Sequence, residues 1–341
     1  MSEIFNVEVS VVVCFYNLEG YILRCLNSLK NQTLENIEFI IIDDGSYDLG
    51  SNIAKNFIDE HNNFFYFRQK NKGLGAARNY GISKCKGEFI GFVDGDDYVA
   101  PEMYQKMYES VKKNNSDIAV CYHWAVFKNR KKVIKNSCKD NFFNTNILNS
   151  PKILDCRSYV WNKIFHNRFF FELGYKFPEG QVFEDSYLIY TILLKARKVS
   201  LVEKSLYYYD RTRSNSLSSK VDTKIFDIFH SINKINEEFL KYNISNPKLK
   251  EQVLVIILRH ILARYRTLHK KEFSQISKDF TLYSFNYLDN NFPDWRLKNV
   301  KNKLSLNAYD YFILYFKYVN IFLLQIPKII RKLIMFFFIF L

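Results

Sequence analysis

Acidic side chains collect at three places where apolar and polar sequence meet. Asp43 and Asp44 follow EFIII, and Asp94, Asp96 and Asp97 follow FIGFV. Glu184 and Asp185 precede the apolar stretch SYLIYTILL. Paired carboxylates on a loop are hard oxygen ligands of the kind Mg²⁺ or Mn²⁺ takes, and those ions usually share coordination with substrate phosphates. Beside a diphosphate, such an ion acts as a Lewis acid on the leaving group. An isolated D-x-D is a solvated turn. Here the aspartates close a buried strand and a second acidic turn closes another, so Asp94-Gly95-Asp96-Asp97 reads as a metal and phosphate site. Glu184-Asp185 has two readings. A carboxylate can take the proton of an attacking hydroxyl, and acids also suit the first turn of a helix.

What must position these groups is an alternation of strands and helices. Val9 to Cys14 (VSVVVC) is a continuous β-branched run, as in a strand buried on both faces. Glu38 to Ile42, Phe64 to Phe67, Glu88 to Val93 and Asp117 to Tyr122 are predicted as further strands. Between them, Ile22, Leu26 and Leu29 recur at helical spacing, and Ile53, Ala54, Phe57 and Ile58 mark a second helix. Ala76 to Lys84 reads as a third helix, and Pro101 opens a fourth where its missing N–H costs little. The alternation predicts an α/β fold with a doubly wound, mostly parallel sheet. Ligands bind such sheets beyond the carboxyl ends of the strands. Phe15-Tyr16-Asn17, Asp43-Asp44-Gly45-Ser46 and the Asp94 cluster should therefore meet on one edge. The first strand is followed by neither G-x-G-x-x-G nor G-x-x-x-x-G-K-[ST]. The amides with which those motifs cradle phosphates are missing, so a phosphate ligand must be held another way. Asn71-Lys72-Gly73-Leu74-Gly75 offers two glycines where backbone can approach a nucleotide.

The string VVVCFYNLEGYILRCLNSLKNQTLENIEFIIIDDGSYD resembles the opening of the family 2 glycosyltransferases. NKGLGAARNYGI, FVDGDDYVAPEMY, VWNKIF, FEDSYL and YYYDRTRSNSLSS continue the resemblance in order, over about residues 7 to 220. It implies the Rossmann-like GT-A fold and transfer of a sugar, with inversion, from a nucleotide-diphosphate sugar (UDP expected) to a hydroxyl. It implies that Asp43 or Asp44 meets the base or ribose, with Arg78 nearby. Asp94 and Asp96 would form the D-x-D pair, Asp96 on Mg²⁺ or Mn²⁺ and Asp94 on the ribose or a metal-bound water. Asp97 would touch the ion or support a group that does. Asp185 would be the base, with Glu184 orienting the acceptor. Arg211 matches an arginine in the family's Y-R-x-x-x-x-S-type stretch. Here Asp210 intervenes after Tyr209, so either Arg211 or Arg213 would reach the diphosphate. Trp161, Asn162 and Lys163 resemble an acceptor-side stretch; aromatic faces pack on sugar rings, and a tryptophan there equally fills a core.

The predicted division is a catalytic domain over 1–220 and a mainly helical region over 221–341. The latter has apolar positions such as Ile225, Ile228, Phe229 and Ile232, then LVIILRHIL. Residues 309–341 are aromatic, apolar and punctuated by Lys317, Pro327, Lys328, Arg331 and Lys332. That composition suits a membrane interface, where each basic residue contributes about 1 kcal/mol. Lys298, Lys301 and Lys303 add to it. The other reading is a helix buried on the catalytic domain or on a partner. The expected location is cytoplasmic and peripheral on the inner face of the cell membrane. The expected acceptor is a lipid-linked glycan in surface-polysaccharide assembly.

Forty-nine Lys and Arg against 35 Asp and Glu leave a net charge of +14, which also raises nucleic acid as a partner. No DNA or RNA motif accompanies it. The six cysteines form no C-x-x-C pair, which predicts reduced thiols over a zinc or disulfide framework. MSEIFNVEVSVVV lacks a basic n-region and reads as the start of the fold, not a signal peptide. No charge-free apolar run reaches the ~18 residues of a spanning helix. Two competing functions stay open: a nucleotidyltransferase, which needs the paired aspartates without Asp185, and a non-catalytic membrane scaffold.

Overall fold

A computed structural model describes residues 6–134, 143–213, 223–241, 246–269, 275–293 and 295. The segment 309–341, with Lys298, Lys301, Lys303 and Cys138, lies outside the described residues.

In chain order the first elements are β1 (Val9–Phe15), α1 (Ile22–Lys30), β2 (Ile37–Asp43), α2 (Gly50–Ile58), β3 (Phe64–Arg68), α3 (Leu74–Ile82) and β4 (Phe89–Asp94). They are the alternation predicted from periodicity. Every residue of β1 and β2 is buried. Two of their polar residues are matched to each other, Ser10 Oγ donating to Glu38 Oε1 at 2.5 Å. α1 turns Ile22, Cys25, Leu26 and Leu29 inward. α3 lies so close to β1 that a Cβ on Gly81 would stand 2.3 Å from Val12 Cγ1.

The next elements are β5 (Tyr98–Val99), α4 (Met103–Asn114), β6 (Ile118–Phe127), β7 (Arg130–Ile134), β8 (Lys163–His166), α5 (Arg168–Phe171), α6 (Glu184–Lys195) and β9 (Val199–Asp210). α4 starts two residues after Pro101, because the Pro101 carbonyl turns aside to accept the Thr33 amide at 3.0 Å. The sheet runs β3-β2-β1-β4-β8-β6-β9-β5, with β7 paired to β6. β3, β2, β1 and β4 are parallel. β8 lies antiparallel between β4 and β6. Two reversals restore direction, so β6 and its parallel neighbour β9 point the same way as β4. Phe15, Asp43, Asp94, Phe127 and Asp210 therefore end their strands at one edge.

The helical elements that follow are α7 (Asp227–Lys241), α8 (Pro247–His269) and α9 (Gln275–Asn291). The chain divides into two compact units, one through Val253 and one from Leu254. In the first, α7 packs against α6. In the second, Phe285 stacks near Trp295 at 6.1 Å, and the Trp295 indole N–H donates to Asp289 at 3.0 Å. Among the described residues no helix is long and apolar enough to cross a membrane.

Candidate active site

The end of β4 and the start of α6 are joined through one buried arginine. Arg78, on α3 and 3% exposed, donates from Nη1 to Glu184 Oε1 at 2.5 Å and from Nη2 to Asp94 Oδ1 at 2.9 Å. Two local features hold it there. A Cβ on Gly75 would meet the Pro178 carbonyl oxygen at 2.2 Å, so only glycine lets the first turn of α3 lie against that segment. Asn79 then exchanges two hydrogen bonds with the Phe177 backbone, at 2.8 and 2.9 Å. The close approach at this glycine is thus to protein backbone, and the Arg78 guanidinium rests 5.3 Å from the Phe177 ring centroid. Burial works against its charge, but Asp94, Glu184 and Asp185 outweigh it and hold the guanidinium firmly cationic.

α6 begins abruptly after Phe183, whose φ of +68° is left-handed. A non-glycine residue there costs backbone energy. The turn sets Glu184 and Asp185 in the first turn of the helix, with no side chain capping it. Asp185 is half-buried beside Glu184, Arg78 and Lys163. Burial and the Glu184 charge push its carboxyl up to about 7, against the pull of Arg78. A carboxylate with that affinity for protons is matched to base catalysis near neutrality.

Across the same edge, Asp96 Oδ2 is 2.8 Å from Arg213 Nη1. Burial and the Asp94 charge raise its carboxyl above the ordinary value, and Arg213 only partly offsets them. Asp97 is 1% exposed and locked: it accepts the Tyr207 hydroxyl at 2.6 Å and the Asp210 amide at 2.7 Å. The Asp94 amide in turn donates to the Tyr207 oxygen at 3.2 Å. Asp97 thus ties the acidic turn to β9. Arg24 braces it from α1, donating to the Asp96 carbonyl at 2.6 Å and pairing with Asp210 at 2.8 Å. Sequence reasoning missed Arg24 and Tyr207. Their partners lie far away in sequence, so no local spacing announces them.

Asp43 and Asp44 sit on the same edge in a different state. Asp43 accepts the Ser46 amide at 2.8 Å, the Tyr66 hydroxyl at 2.7 Å and the Ser51 hydroxyl. Burial raises its pKa, but these donors overcome burial and hold the carboxyl below its ordinary value. Asp44 accepts Gln69 Nε2 at 2.7 Å and the amides of Lys72 and Gly73 at 3.0 and 2.9 Å. Both aspartates shape the loops around them.

The expected acceptor residues lie inside the body. Trp161 is 4% exposed, its ring stacked with Tyr207 at 4.3 Å and Tyr159 at 4.5 Å. Lys163 is fully buried and donates to the carbonyls of Arg157 and Tyr159 and to Asn162 Oδ1, at 2.7, 2.6 and 2.9 Å. An ammonium has three N–H bonds, and protein takes all three. Burial pushes it down to about 8. Arg211 is exposed, its guanidinium 5.7 Å from the Phe127 centroid and 5.8 Å from that of Tyr209. Arg213, not Arg211, reaches the D-x-D.

The donor set fits a hard divalent ion. Asp94 and Asp96 supply oxygens, and the Asp96 carboxyl is raised by burial and by the neighbouring Asp94 charge, which Arg213 only partly offsets. Among the described residues no three His, Cys, Asp or Glu side chains gather to hold an ion by themselves. Two carboxylates with the rest of the shell from water and substrate is how Mg²⁺ is commonly held.

A mixed sheet with a D-x-D at its carboxyl edge and a carboxylate pair joined to it through Arg78 fits a glycosyltransferase of the GT-A fold. Residues 10–177 match the model described as Glycosyl transferase family 2. Over 258 residues the chain is 32% identical to the putative glycosyltransferase EpsH of Bacillus subtilis, covering 74% of each chain. It is 29% identical to the cholesterol galactosyltransferase of Borreliella burgdorferi over 89% of this chain and 80% of that one. The crystal structure of S. aureus TarS 1-349 in complex with UDP-GlcNAc shares the fold, with a TM-score of 0.59, 21% identity, and coverage of 84% of this chain and 92% of that one. The chain belongs to glycosyl transferase family 2.

Proposed function

We propose that the chain moves a sugar from a nucleoside diphosphate sugar, a UDP-sugar first among candidates, to a hydroxyl of a membrane-presented glycan or lipid acceptor, with inversion at the anomeric carbon. The observation that carries this is Arg78, whose two hydrogen bonds bring the D-x-D and the Glu184-Asp185 pair to one site. In this reading the diphosphate lies against Asp94 and Asp96, which would hold Mg²⁺ or Mn²⁺. The ion supplies positive charge where the diphosphate leaves. Asp185 takes the acceptor's proton, and Glu184, oriented by Arg78, positions the hydroxyl. Arg213 keeps Asp96 in place, and the Asp43 and Asp44 loops border the nucleotide.

The membrane side of the proposal rests on the basic, aromatic sequence of 309–341, consistent with a peripheral protein on the cytoplasmic leaflet. A lipid acceptor is supported by the name of the Borreliella relative, which aligns along most of this chain. Assembly of a surface polysaccharide is the pathway class that suits such a location. The domain reading stands as a proposal too: a catalytic part to about residue 220, with the helical remainder serving the acceptor and the membrane.

A panel of nucleotide sugars, with and without Mg²⁺ or Mn²⁺ and without acceptor, tests the reaction. The expected result is slow, metal-dependent release of UDP from one donor, the freed sugar appearing first as the anomer opposite to the donor's. Release of pyrophosphate in place of UDP, or no turnover of any donor with either ion, would overturn it.

A further inference from the structure

The β6–β7 hairpin carries a concentration of charge that the reaction does not use. Lys128, Arg130, Lys131 and Lys132 are all exposed. No acid occurs anywhere from Ile118 to Lys135. Among the described residues none of the four cations pairs with a carboxylate. Two of them lean on rings instead: the Arg130 guanidinium is 5.3 Å from the Phe127 centroid, and Lys131 Nζ is 5.2 Å from that of Tyr208. Tyr208 belongs to a column of near-parallel rings, 4.6 Å from Tyr98 and 6.5 Å from Trp124.

The hairpin's position follows from strand register. Ile90 of β4 and Ile118 of β6 both pair with Phe165 of β8, so they stand level across the sheet. Counting four residues along each strand, Asp94 is level with Tyr122. From there the D-x-D turn runs on along β9: Tyr98 pairs with Tyr208 beside Trp124, and the Asp210 amide that donates to Asp97 belongs to the residue paired with Val126, so Phe127 and the hairpin turn begin about one residue beyond the acidic turn. The hairpin projects from the same edge at which the acidic site opens. In a two-stranded ribbon successive side chains face opposite ways, so Arg130 and Lys132 present charge on one face and Lys131 on the other. Charge on both faces of a projecting tip suits a plane of anionic headgroups better than a one-sided groove, and the flanking aromatic rings suit the interfacial layer.

We propose that the β6–β7 hairpin docks the catalytic domain on an anionic phospholipid bilayer, turning the acidic edge toward the membrane. This inference deepens the membrane-acceptor reading above and rests on it. It adds a contact built into the catalytic domain, apart from the basic carboxyl-terminal segment. The geometry then lets the enzyme meet an acceptor that stays anchored in the leaflet.

Two full-length variants separate the contacts. One carries K128Q, R130Q, K131Q and K132Q; the other carries K328Q, R331Q and K332Q. Sedimentation with phosphatidylglycerol–phosphatidylcholine vesicles measures binding, and donor hydrolysis in solution reports the integrity of the site. Each cation near an anionic surface is worth about a fivefold change in partition. The hairpin variant is therefore expected to bind at least a hundredfold more weakly, with donor hydrolysis unchanged. Unchanged vesicle binding by the hairpin variant overturns the proposal, and if the tail variant then loses binding, the membrane reading survives without the hairpin. Failure of the unaltered protein to bind these vesicles overturns both. Unchanged vesicle binding with impaired transfer to a phosphate-bearing acceptor would instead assign the hairpin to the acceptor.

Discussion

Asp43 and Asp96 are the same residue type at the same sheet edge, and the protein treats them in opposite ways. Asp43 is surrounded by donors from Ser46, Ser51 and Tyr66, and its carboxyl is held below the ordinary value. Asp96 sits beside Asp94 with one arginine for company, and its carboxyl is raised. A saturated carboxylate holds structure together. An under-compensated one carries an electrostatic demand that a cation or a proton must meet, and such demands cluster where chemistry is done. Asp97 shows the limit of the rule: its carboxyl is raised by burial and by Asp96, yet Tyr207 and the Asp210 amide hold both its oxygens.

The largest effect is expected at the most perturbed carboxylate of the cleft that geometry leaves usable. Asp185→Asn removes the proposed base and should lower kcat by about 10³-fold, within the range for general base catalysis. The raised pKa gives this a pH signature. A base works deprotonated, so kcat/KM of the unaltered enzyme should rise with pH through about 7 and level off above it. An ordinary carboxylate would place that rise near 4. A variant that kept transfer activity, with the neutral limb of the profile intact, would remove Asp185 from the mechanism.

Truncating one member of each carboxylate class breaks the comparison directly. Asp43→Ala leaves three donors facing a void and should cost about 3 kcal/mol of stability, read by denaturant unfolding. Asp96→Ala should leave stability nearly unchanged. The sign follows from the raised pKa: a carboxyl that holds its proton more tightly when folded loses stability for the fold as pH rises from the ordinary carboxylate value through the raised one. Above that range the raised carboxyl is a cost to the fold, and relieving it offsets the loss of the Arg213 ion pair. Metal-dependent donor hydrolysis should nonetheless fall about 10²-fold or more. Equal destabilisation by the two substitutions would show that saturation does not separate them.

Much of this edge was legible in the sequence because its parallel core is written in local pattern. VSVVVC, EFIII and FIGFV are continuous apolar runs, and each ends in the residues that face the site. The juxtaposition of Asp94 with Glu184 rests on an order of motifs. What escaped were contacts between distant residues. β8 is four residues long and slips antiparallel between β4 and β6, which no periodicity of that length reveals. Lys163 reads as an acceptor-side residue and Trp161 equally as a sugar platform or as core until their partners are known. Those partners, two carbonyls and an amide for one and stacked tyrosines for the other, are supplied by the loop at 157–162 and by β9. The saturation of Asp43 and Asp44 is likewise invisible without Tyr66 and Gln69 in place.

The finest discrimination concerns the two arginines after β9. Motif alignment favours Arg211, and the inserted Asp210 is where the register fails. Asp210 is turned inward, paired with Arg24, and its own amide is spent on Asp97. That fixes the strand end, sends Arg211 outward over Phe127 and Tyr209, and returns the chain so that Arg213 reaches Asp96. Arg213 stands beside the carboxylate that would share an ion with the diphosphate, so Arg213→Gln should raise the donor KM by about tenfold. Arg211→Gln should change it by less than about twofold, as expected of an exposed side chain away from the site. The reverse order would mean that substrate draws Arg211 in and displaces Arg213, and it would show up as a donor-dependent change in protection of residues 210–213 from hydrogen exchange.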